Sequence, residues 1–345
     1  MSIFSSEKKI KWFTRVYAPR FYDVYLLTGE NFWFYEKNPK SGYGFTATPG
    51  GGWRETGVMA AGGAPDSPVH LPYGVHLLWM SRTEKKYYQA EIILPREKIL
   101  SEMDKKFDFE WSDQRKDSYF STFDIALAPG GFVSLRLGGT RTLEVTTVQA
   151  KEVEVDWEFF ARTNHFNPDK YPEEEFHQDH FDQLPLNIQK QVKDQLIPLE
   201  RWKKYSENKF PWHFASNIEL EGCRIALING DDRFFNKSEL KEIQTNSLRA
   251  APSNLVLYYK KDGQKWQVNL RLTKQKRGGS ELPDDDLDVF NTFFKFYTTQ
   301  VLPTAFAIEF IDGKFIAFLT NGSKKQIITI HQSEIWNVDT KFDWF

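Results

Sequence analysis

Residues 123–149 read FDIALAPGGFVSLRLGGTRTLEVTTVQ, and the same pattern returns at residues 306–332 as FAIEFIDGKFIAFLTNGSKKQIITIHQ. The spacing is 183 residues (306 − 123), and no gap is needed to align the two copies. In each copy apolar residues alternate with other residues between glycines, which predicts three short strands joined by turns. The identical pairs are Phe123/Phe306, Ile125/Ile308, Gly130/Gly313, Phe132/Phe315, Gly139/Gly322, Thr146/Thr329 and Gln149/Gln332.

The paired glycines mark the turns of these predicted hairpins. Asp312-Gly313 and Asn321-Gly322 are dipeptides that favour two-residue hairpin loops, in which the backbone takes positive φ. We therefore expect positive φ at Gly139 and Gly322 at least, and we expect strand 132–137 to correspond to strand 315–320.

The similarity between the halves continues upstream. Residues 77–88 (LLWMSRTEKKYY) match residues 255–266 (LVLYYKKDGQKW) without a gap, and both halves then have Leu-Pro followed by a helical pattern. The stretch 25–34 also resembles 225–235 as a strand, turn and strand. The sequence thus predicts an α+β protein with two tandem, similar antiparallel β-rich domains, each with one main helix. Their expected bounds are 1–156 and 212–345, with a helical insert at 157–211.

Composition excludes several classes of protein. The 345 residues are 40% hydrophobic and 16% aromatic, which is typical of a folded globular chain. A formal net charge of −2 argues against nucleic acid as the main ligand. The single cysteine, Cys223, excludes an internal disulfide and a multi-thiolate metal site. The sequence has no run of about 18 apolar residues, the length that would predict a membrane span. A soluble cytoplasmic protein is therefore expected from the chain as given, or a periplasmic lipoprotein if an N-terminal signal was removed.

The first half carries a motif combination seen in a known family. It comprises LPYGVHLLWMSRTEKKYYQAEIILPREKI from Leu71 and FDIALAPGGFVSLRLGG from Phe123. Over about residues 20–160 it resembles the bacterial family catalogued as domain of unknown function 2931, and the second half looks like a diverged copy. The matching positions are Leu71, Pro72, Trp79, Ser81, Glu84, Lys86, Tyr88, Leu94, Pro95, Glu97, Ile99 and Ala128 to Gly131.

The resemblance implies a role but no catalytic residues. Many members of that family look like envelope lipoproteins, and they tend to occur beside secreted antibacterial toxins, which implies immunity proteins. This chain lacks the lipoprotein signal, a departure that leaves the compartment open.

The densest polar cluster lies in residues 173–182, EEEFHQDHFD. On a helix Glu173, His177 and His180 fall on one side, and Glu174-x-x-His177 has the spacing found in di-metal bundles. No second Glu-x-x-His exists, so we predict no metal and no cofactor. The carboxylates are expected to form a solvated face that binds a partner protein, together with Trp53 of the Gly-rich loop. The predicted partner residues are Glu173, Glu174, Glu175, Asp179, Asp182 and Trp53.

The sequence contains no motif that demands an enzyme, since it lacks a Gly-x-Ser-x-Gly elbow and an HExxH. We therefore predict a non-catalytic protein-binding module, an immunity protein against a type VI-like secreted toxin or another product of a neighbouring gene. The alternative is an enzyme or carbohydrate-binding protein acting on a small molecule or glycan. Glu84 in a cleft would favour the enzyme, and the aromatic run 32–35, otherwise expected to pack on the helical insert, would favour a sugar platform. The oligomeric state is left open.

Overall fold

A computed structural model describes residues 9–27, 31–36, 42–44, 58–59, 69–105, 120–139, 141–274, 287–299 and 304–338. Trp53, one of the predicted partner residues, lies outside these ranges. The chain divides into two compact units. The described residues of the first unit extend to Trp202, and those of the second begin at Lys203.

The first unit is built mainly from strands. They are β1 (Lys9–Ile10), β2 (Phe13–Tyr17), β3 (Val24–Leu26), β4 (Phe32–Tyr35), β5 (Gly42–Gly44), β6 (Val58–Met59), β7 (Val69–His70), β8 (Gly74–Ser81), β9 (Lys86–Ile93), β10 (Thr122–Ala128), β11 (Phe132–Gly138), β12 (Thr142–Gln149) and β13 (Lys151–Val153). One sheet of this unit has the order β12-β11-β10-β2-β6, and another has the order β13-β9-β8-β4-β5, with β3 also on β8. β1 pairs with β7.

Two sheets of the first unit enclose its main hydrophobic core. Strand alternation places Phe123, Ile125 and Leu127 of β10 in this core. Trp79 of β8 and Trp12, which precedes β2, are fully buried in the same core. All pairings within these two sheets are antiparallel except that of β2 with β10, which is parallel. The sequence did not predict this parallel pair.

Helices cover one part of the outer surface of the first unit. They are α1 (Arg96–Met103), α2 (Trp157–Thr163), α3 (Glu173–Asp182) and α4 (Leu186–Lys193). The side chain of Asp156 caps α2 by accepting a hydrogen bond from the Phe159 N–H. Phe160 and Phe176 pack on Leu78, Met80 and Tyr87 in a second cluster. The helices α2, α3 and α4, which were expected in an insert between domains, therefore belong to the first unit, as α1 does.

The boundary between the units falls within α5 (Arg201–Glu207). The second unit has the helices α6 (Leu240–Gln244) and α7 (Leu287–Thr298). Its strands are β14 (Phe210–Ser216), β15 (Leu220–Leu227), β16 (Asp232–Asn236), β17 (Ser247–Arg249), β18 (Pro252–Lys261), β19 (Gln264–Arg271), β20 (Thr304–Ile311), β21 (Lys314–Thr320), β22 (Lys325–Ile328) and β23 (Gln332–Asn337).

Within the second unit the strands form the orders β23-β19-β18-β15-β16 and β17-β14-β20-β21-β22. β14 pairs in parallel with β20, and the other pairs in these two orders are antiparallel. Phe293 of α7 packs on the sheet that contains β14 and β20. Its ring centroid lies 6.5 Å from that of Trp212 of β14 and 6.1 Å from that of Phe306 of β20.

Three details of the predicted correspondence differ from the structure. β3 and β4 both pair with β8, whereas β15 and β16 pair with each other, so matching 25–34 to 225–235 was wrong. Phe132 pairs with Ala128 across a three-residue loop, but Lys314 pairs with Ile311 across two residues, which shifts the strand correspondence by one position.

The third difference concerns the turn glycines. Gly322 has φ of +90°, as expected, and Gly130 and Gly313 are also positive. Gly139 is not among the described glycines with positive φ. The chain bends at Gly139 without the positive φ that was expected there.

Candidate functional site

Glu84 joins the two sheets of the first unit through what we call the Glu84 clasp, formed by Ser81, Glu84, Tyr88 and Gly130. The carboxylate lies in the β8–β9 turn and accepts hydrogen bonds from the Ser81 hydroxyl (2.6 Å) and the Tyr88 hydroxyl (2.8 Å). It also accepts from the Gly130 N–H, in the loop between β10 and β11 (3.0 Å). Both oxygens of Glu84 are therefore engaged in contacts within the fold.

Gly131 of this loop is required by its close approach to Tyr88 of the clasp. Gly131 has φ of +75°, and a Cβ there would lie 2.6 Å from the Tyr88 ring. Gln149 donates to the Gly130 carbonyl at 2.6 Å. Burial, and then the bond to Glu84, raises the pKa of Tyr88, which keeps this hydroxyl a donor. Five of the residues that carry the family resemblance, Ser81, Glu84, Tyr88, Gly130 and Gly131, thus serve the packing of one sheet on the other.

A second buried polar group, which we call the Asp124 network, comprises Arg15, Tyr17 and Asp124. Arg15 of β2 donates to both Asp124 oxygens, Nε to Oδ1 at 2.8 Å and a terminal nitrogen to Oδ2 at 2.5 Å. Tyr17 also donates to Oδ2, at 3.1 Å. A side chain at Gly138 would collide with Asp124 and Arg15, so glycine there leaves the room that this ion pair occupies. Sequence reasoning missed this network.

α3 separates a buried side from an acidic side. Phe176, His177 and His180 are buried. Glu174, Glu175, Asp179 and Asp182 lie on the other side of the helix and are exposed. Glu173 is on the same side as His177, but it lies in the first turn and is exposed as well. We call the exposed set the acidic face of α3, and it consists of the predicted residues Glu173, Glu174, Glu175, Asp179 and Asp182. Tyr171 donates to Asp179 at 2.5 Å, and this bond is the first cause that raises the pKa of Tyr171 to about 12. The structure therefore brings together five of the six predicted partner residues.

The two histidines under the acidic face are held in their neutral form. Burial, followed by the charges of Lys85 and Arg82, lowers the pKa of His177 to about 4. Burial also lowers the pKa of His180 to about 3, with Arg82 the next cause. Glu173 lies 3.6 Å from His177 Nε2 but is largely exposed to solvent, which screens it. Among the described residues no group of three His, Cys, Asp or Glu side chains is arranged to hold a metal ion.

This arrangement predicts that the first unit loses stability as the pH falls. Because the unfolded chain binds protons near pH 6.5 and the folded histidines bind them only near pH 4 and pH 3, stability is present above about pH 6.5 and declines below it. Each histidine should contribute a slope of about 1.4 kcal/mol per pH unit within that window. Urea unfolding of wild type and the H177Q/H180Q variant from pH 7 to pH 5 measures the difference in slope.

The exposed His165 provides a control for the pH experiment. It lies in the same unit with φ of +65°, a conformation that asparagine tolerates, so H165N should keep the wild-type slope. Equal slopes for wild type and H177Q/H180Q would contradict the neutral, buried state of the two histidines.

The aromatic run 32–35 does not pack on the helices as expected. Phe32 and Phe34 enter the main core, and Trp33 stacks on His76 with ring centroids 4.7 Å apart. Tyr35 donates to Glu91 at 2.6 Å. The described contacts of α2 and α3 are with other residues of the sheet, among them Tyr25 and Tyr87.

Comparison with known proteins identifies one family. The model of the family described as "Protein of unknown function (DUF2931)" matches residues 2–200. This match extends past the resemblance at 20–160 and includes helices α2 to α4. No curated protein and no solved structure matches the chain. Within the described ranges, every helix is too short or too polar to cross a membrane.

Proposed function

We propose that this chain, which belongs to the family of proteins of unknown function DUF2931, is a non-catalytic protein-binding module that neutralises a secreted bacterial toxin. The observation that carries the proposal is the acidic face of α3. Its five exposed carboxylates belong to a ten-residue helix whose buried side is anchored in an aromatic cluster. The partner is therefore expected to present a basic surface.

Charge on this face would act mainly on the rate of association. Fixed carboxylates of one sign attract a basic partner over roughly one Debye length, and this attraction weakens as salt is added. The anchored side of α3 keeps the helix in place. The ring of Phe176 lies 5.3 Å from Trp157 and 5.6 Å from Phe160, and the Arg82 guanidinium lies 5.1 Å from the Phe176 ring. Such a preformed surface loses little conformational entropy on binding.

The hydrogen bonds and ion pairs that Glu84 and Asp124 make within the fold also support binding over catalysis. A general acid or base needs an oxygen that can reach the substrate. Both oxygens of Glu84 accept bonds within the clasp, and Asp124 is paired with Arg15. The rival enzyme hypothesis would need a different group.

We also propose that the second unit arose by duplication of the first. The two units share an order of strands that supports this proposal. In the first unit β2 pairs in parallel with β10, and β11 and β12 follow β10 in the same sheet. In the second unit β14 pairs in parallel with β20, and β21 and β22 follow β20 in the same sheet. In each unit one helix, α1 or α7, precedes the strand that forms the parallel pair. The tight turns Gly130 and Gly313 occupy the same place in this order.

Charge reversal on α3 tests the proposed surface. The product of the neighbouring gene is co-purified with this chain, and its affinity is measured for wild type and E173K/E174K/E175K. We expect at least a tenfold loss of affinity at low salt, mostly in the association rate, and a smaller loss at high salt. The control E154K/E207K/E242K makes the same change in net charge at exposed residues that do not belong to α3 and should bind as wild type does.

The outcomes separate the surface from the function. Equal losses in both variants would assign the effect to net charge alone, and wild-type binding by the α3 variant would reject this face. Failure of the wild-type protein to bind or protect against any neighbouring product would reject the proposed function.

Glycan binding is a second candidate, favoured by one row of cross-strand neighbours. Glu91, His76, Trp33 and Gly44 lie side by side on β9, β8, β4 and β5. Gly44 has no side chain to cover the second face of the Trp33 ring, and Glu91 could accept bonds from sugar hydroxyls. If this row binds glycans, retention on a polysaccharide column should be lost in W33A and kept in the control W202F, which alters a buried ring. Elution of the wild-type protein in the void volume would reject this candidate.

A further inference from the structure

The second unit contains an open cleft of about 440 Å³ that the family match does not include. Both sheets of this unit contribute to it. Its walls are apolar: Tyr259, Trp266 and Ile335 come from one sheet, and Phe310 comes from the other. Ile335 and Phe310 remain about 45% and 39% exposed. A cleft of this volume is within the range that small molecules occupy.

The walls of the cleft are held in place by the fold. Tyr259 and Trp266 are direct cross-strand neighbours on β18 and β19. The amide of Asn217 fixes Phe310, accepting from its N–H at 2.9 Å and donating to its carbonyl at 3.2 Å. Phe310 also lies 4.8 Å from the ring of Phe315 across the hairpin. The cleft is therefore preformed, which lowers the entropic cost of filling it.

The charged groups at the cleft are all positive. Lys260 and Lys261 line it, and neither takes part in an ion pair among the described residues. The charge of Lys260 helps to lower the pKa of Glu221, but the first cause is the hydrogen bond that Lys237 donates to Glu221 at 2.9 Å. No acidic residue lines the cleft within the described part of the chain.

The lining of the cleft indicates the kind of ligand that it would accept. Apolar side chains from both sheets form its walls, and its charged lining residues are Lys260 and Lys261. Two lysines beside apolar walls favour a ligand with an anionic head and an apolar body.

We propose that this cleft binds a small amphipathic carboxylate, with its apolar body between Trp266 and Phe310 and its carboxylate at Lys260 and Lys261. An inorganic anion would leave the apolar walls in water, and a neutral apolar molecule would leave the lysines without a counter-charge. The proposal concerns the second unit alone, so it does not depend on toxin binding by α3.

Calorimetric titration of the full-length protein with sodium octanoate tests this site. We expect saturable binding of one octanoate per chain, at least tenfold weaker binding to K260A/K261A, and loss of binding to F310A. Thermal unfolding of each variant shows whether it remains folded. The matched control K204A/K241A removes two other lysines of the same unit that do not line the cleft and should bind octanoate as wild type does.

A neutral ligand of the same length separates the two contributions. 1-Octanol should bind at least tenfold more weakly than octanoate to the wild-type protein and should be insensitive to K260A/K261A. Octanol binding as tight as octanoate binding would overturn the role of the lysines. Absence of saturable octanoate binding, or an unchanged affinity in folded K260A/K261A, would overturn the site itself.

Discussion

Replacing Asp124 by alanine is expected to destabilise the first unit by about 3–5 kcal/mol, the cost of leaving one partner of a buried ion pair unpaired. The Asp124 carboxylate is 1% exposed and accepts from Arg15 through two nitrogens and from Tyr17. Without it, the Arg15 charge, whose side chain is 21% exposed, and the buried Tyr17 hydroxyl lose their acceptor. Urea unfolding followed by near-UV circular dichroism measures the loss in the free energy of unfolding.

An exposed ion pair in the same unit provides the control. Glu158 and Arg162 form an ion pair on the surface of α2, and E158A should cost at most about 1 kcal/mol because solvent screens exposed pairs. The double variant R15A/D124A should lose less than the sum of the two single variants, since each single change already breaks the pair. Additive losses, or a cost for D124A as small as that for E158A, would contradict the buried pair.

The second large effect is expected at Gly131. Alanine at φ of +75° costs about 1–2 kcal/mol in backbone strain. A Cβ 2.6 Å from the Tyr88 ring adds overpacking of about 1–3 kcal/mol, because Tyr88 is buried and bonded to Glu84. G131A should therefore lower the free energy of unfolding by about 2–5 kcal/mol.

Gly313 separates the two contributions. It occupies the equivalent hairpin of the second unit with φ of +77°, and no atom lies within 4 Å of the position where its Cβ would be. G313A should therefore show only the backbone strain of about 1–2 kcal/mol in the unfolding of its own unit. Equal losses in G131A and G313A would show that Tyr88 yields to the added methyl group, and the clasp would then be looser than the structure indicates.

Local patterns in the sequence predicted the strands, but they did not predict which residues far apart in the sequence contact each other. Alternation around Phe123 and Ile125 indicated β10 and its core face, and Asn321-Gly322 indicated a turn with positive φ. Asp124 alternates with those apolar residues, and the pattern alone gives no sign that its carboxylate is buried in an ion pair. Its partner Arg15 is 109 positions away on a parallel strand, and no spacing in the sequence marks that pairing.

The acidic face of α3 shows the same division. Helical periodicity placed Glu173, His177 and His180 near one another, but it did not predict that both histidines are buried. Their burial depends on the sheet of the first unit and on Arg82, which lies far away in sequence. For Glu84, the motif indicated importance without showing that the carboxylate joins two sheets.

Stoichiometry tests the central claim, that this chain neutralises its partner by binding and without catalysis. The activity of the neighbouring gene's toxin is titrated with the purified protein at a toxin concentration well above the dissociation constant. Binding predicts that inhibition is complete at one molar equivalent, does not deepen with time, and is reversed when the two proteins are separated. Inhibition that proceeds with time at a small fraction of an equivalent, and that persists after separation, would show turnover and contradict the account.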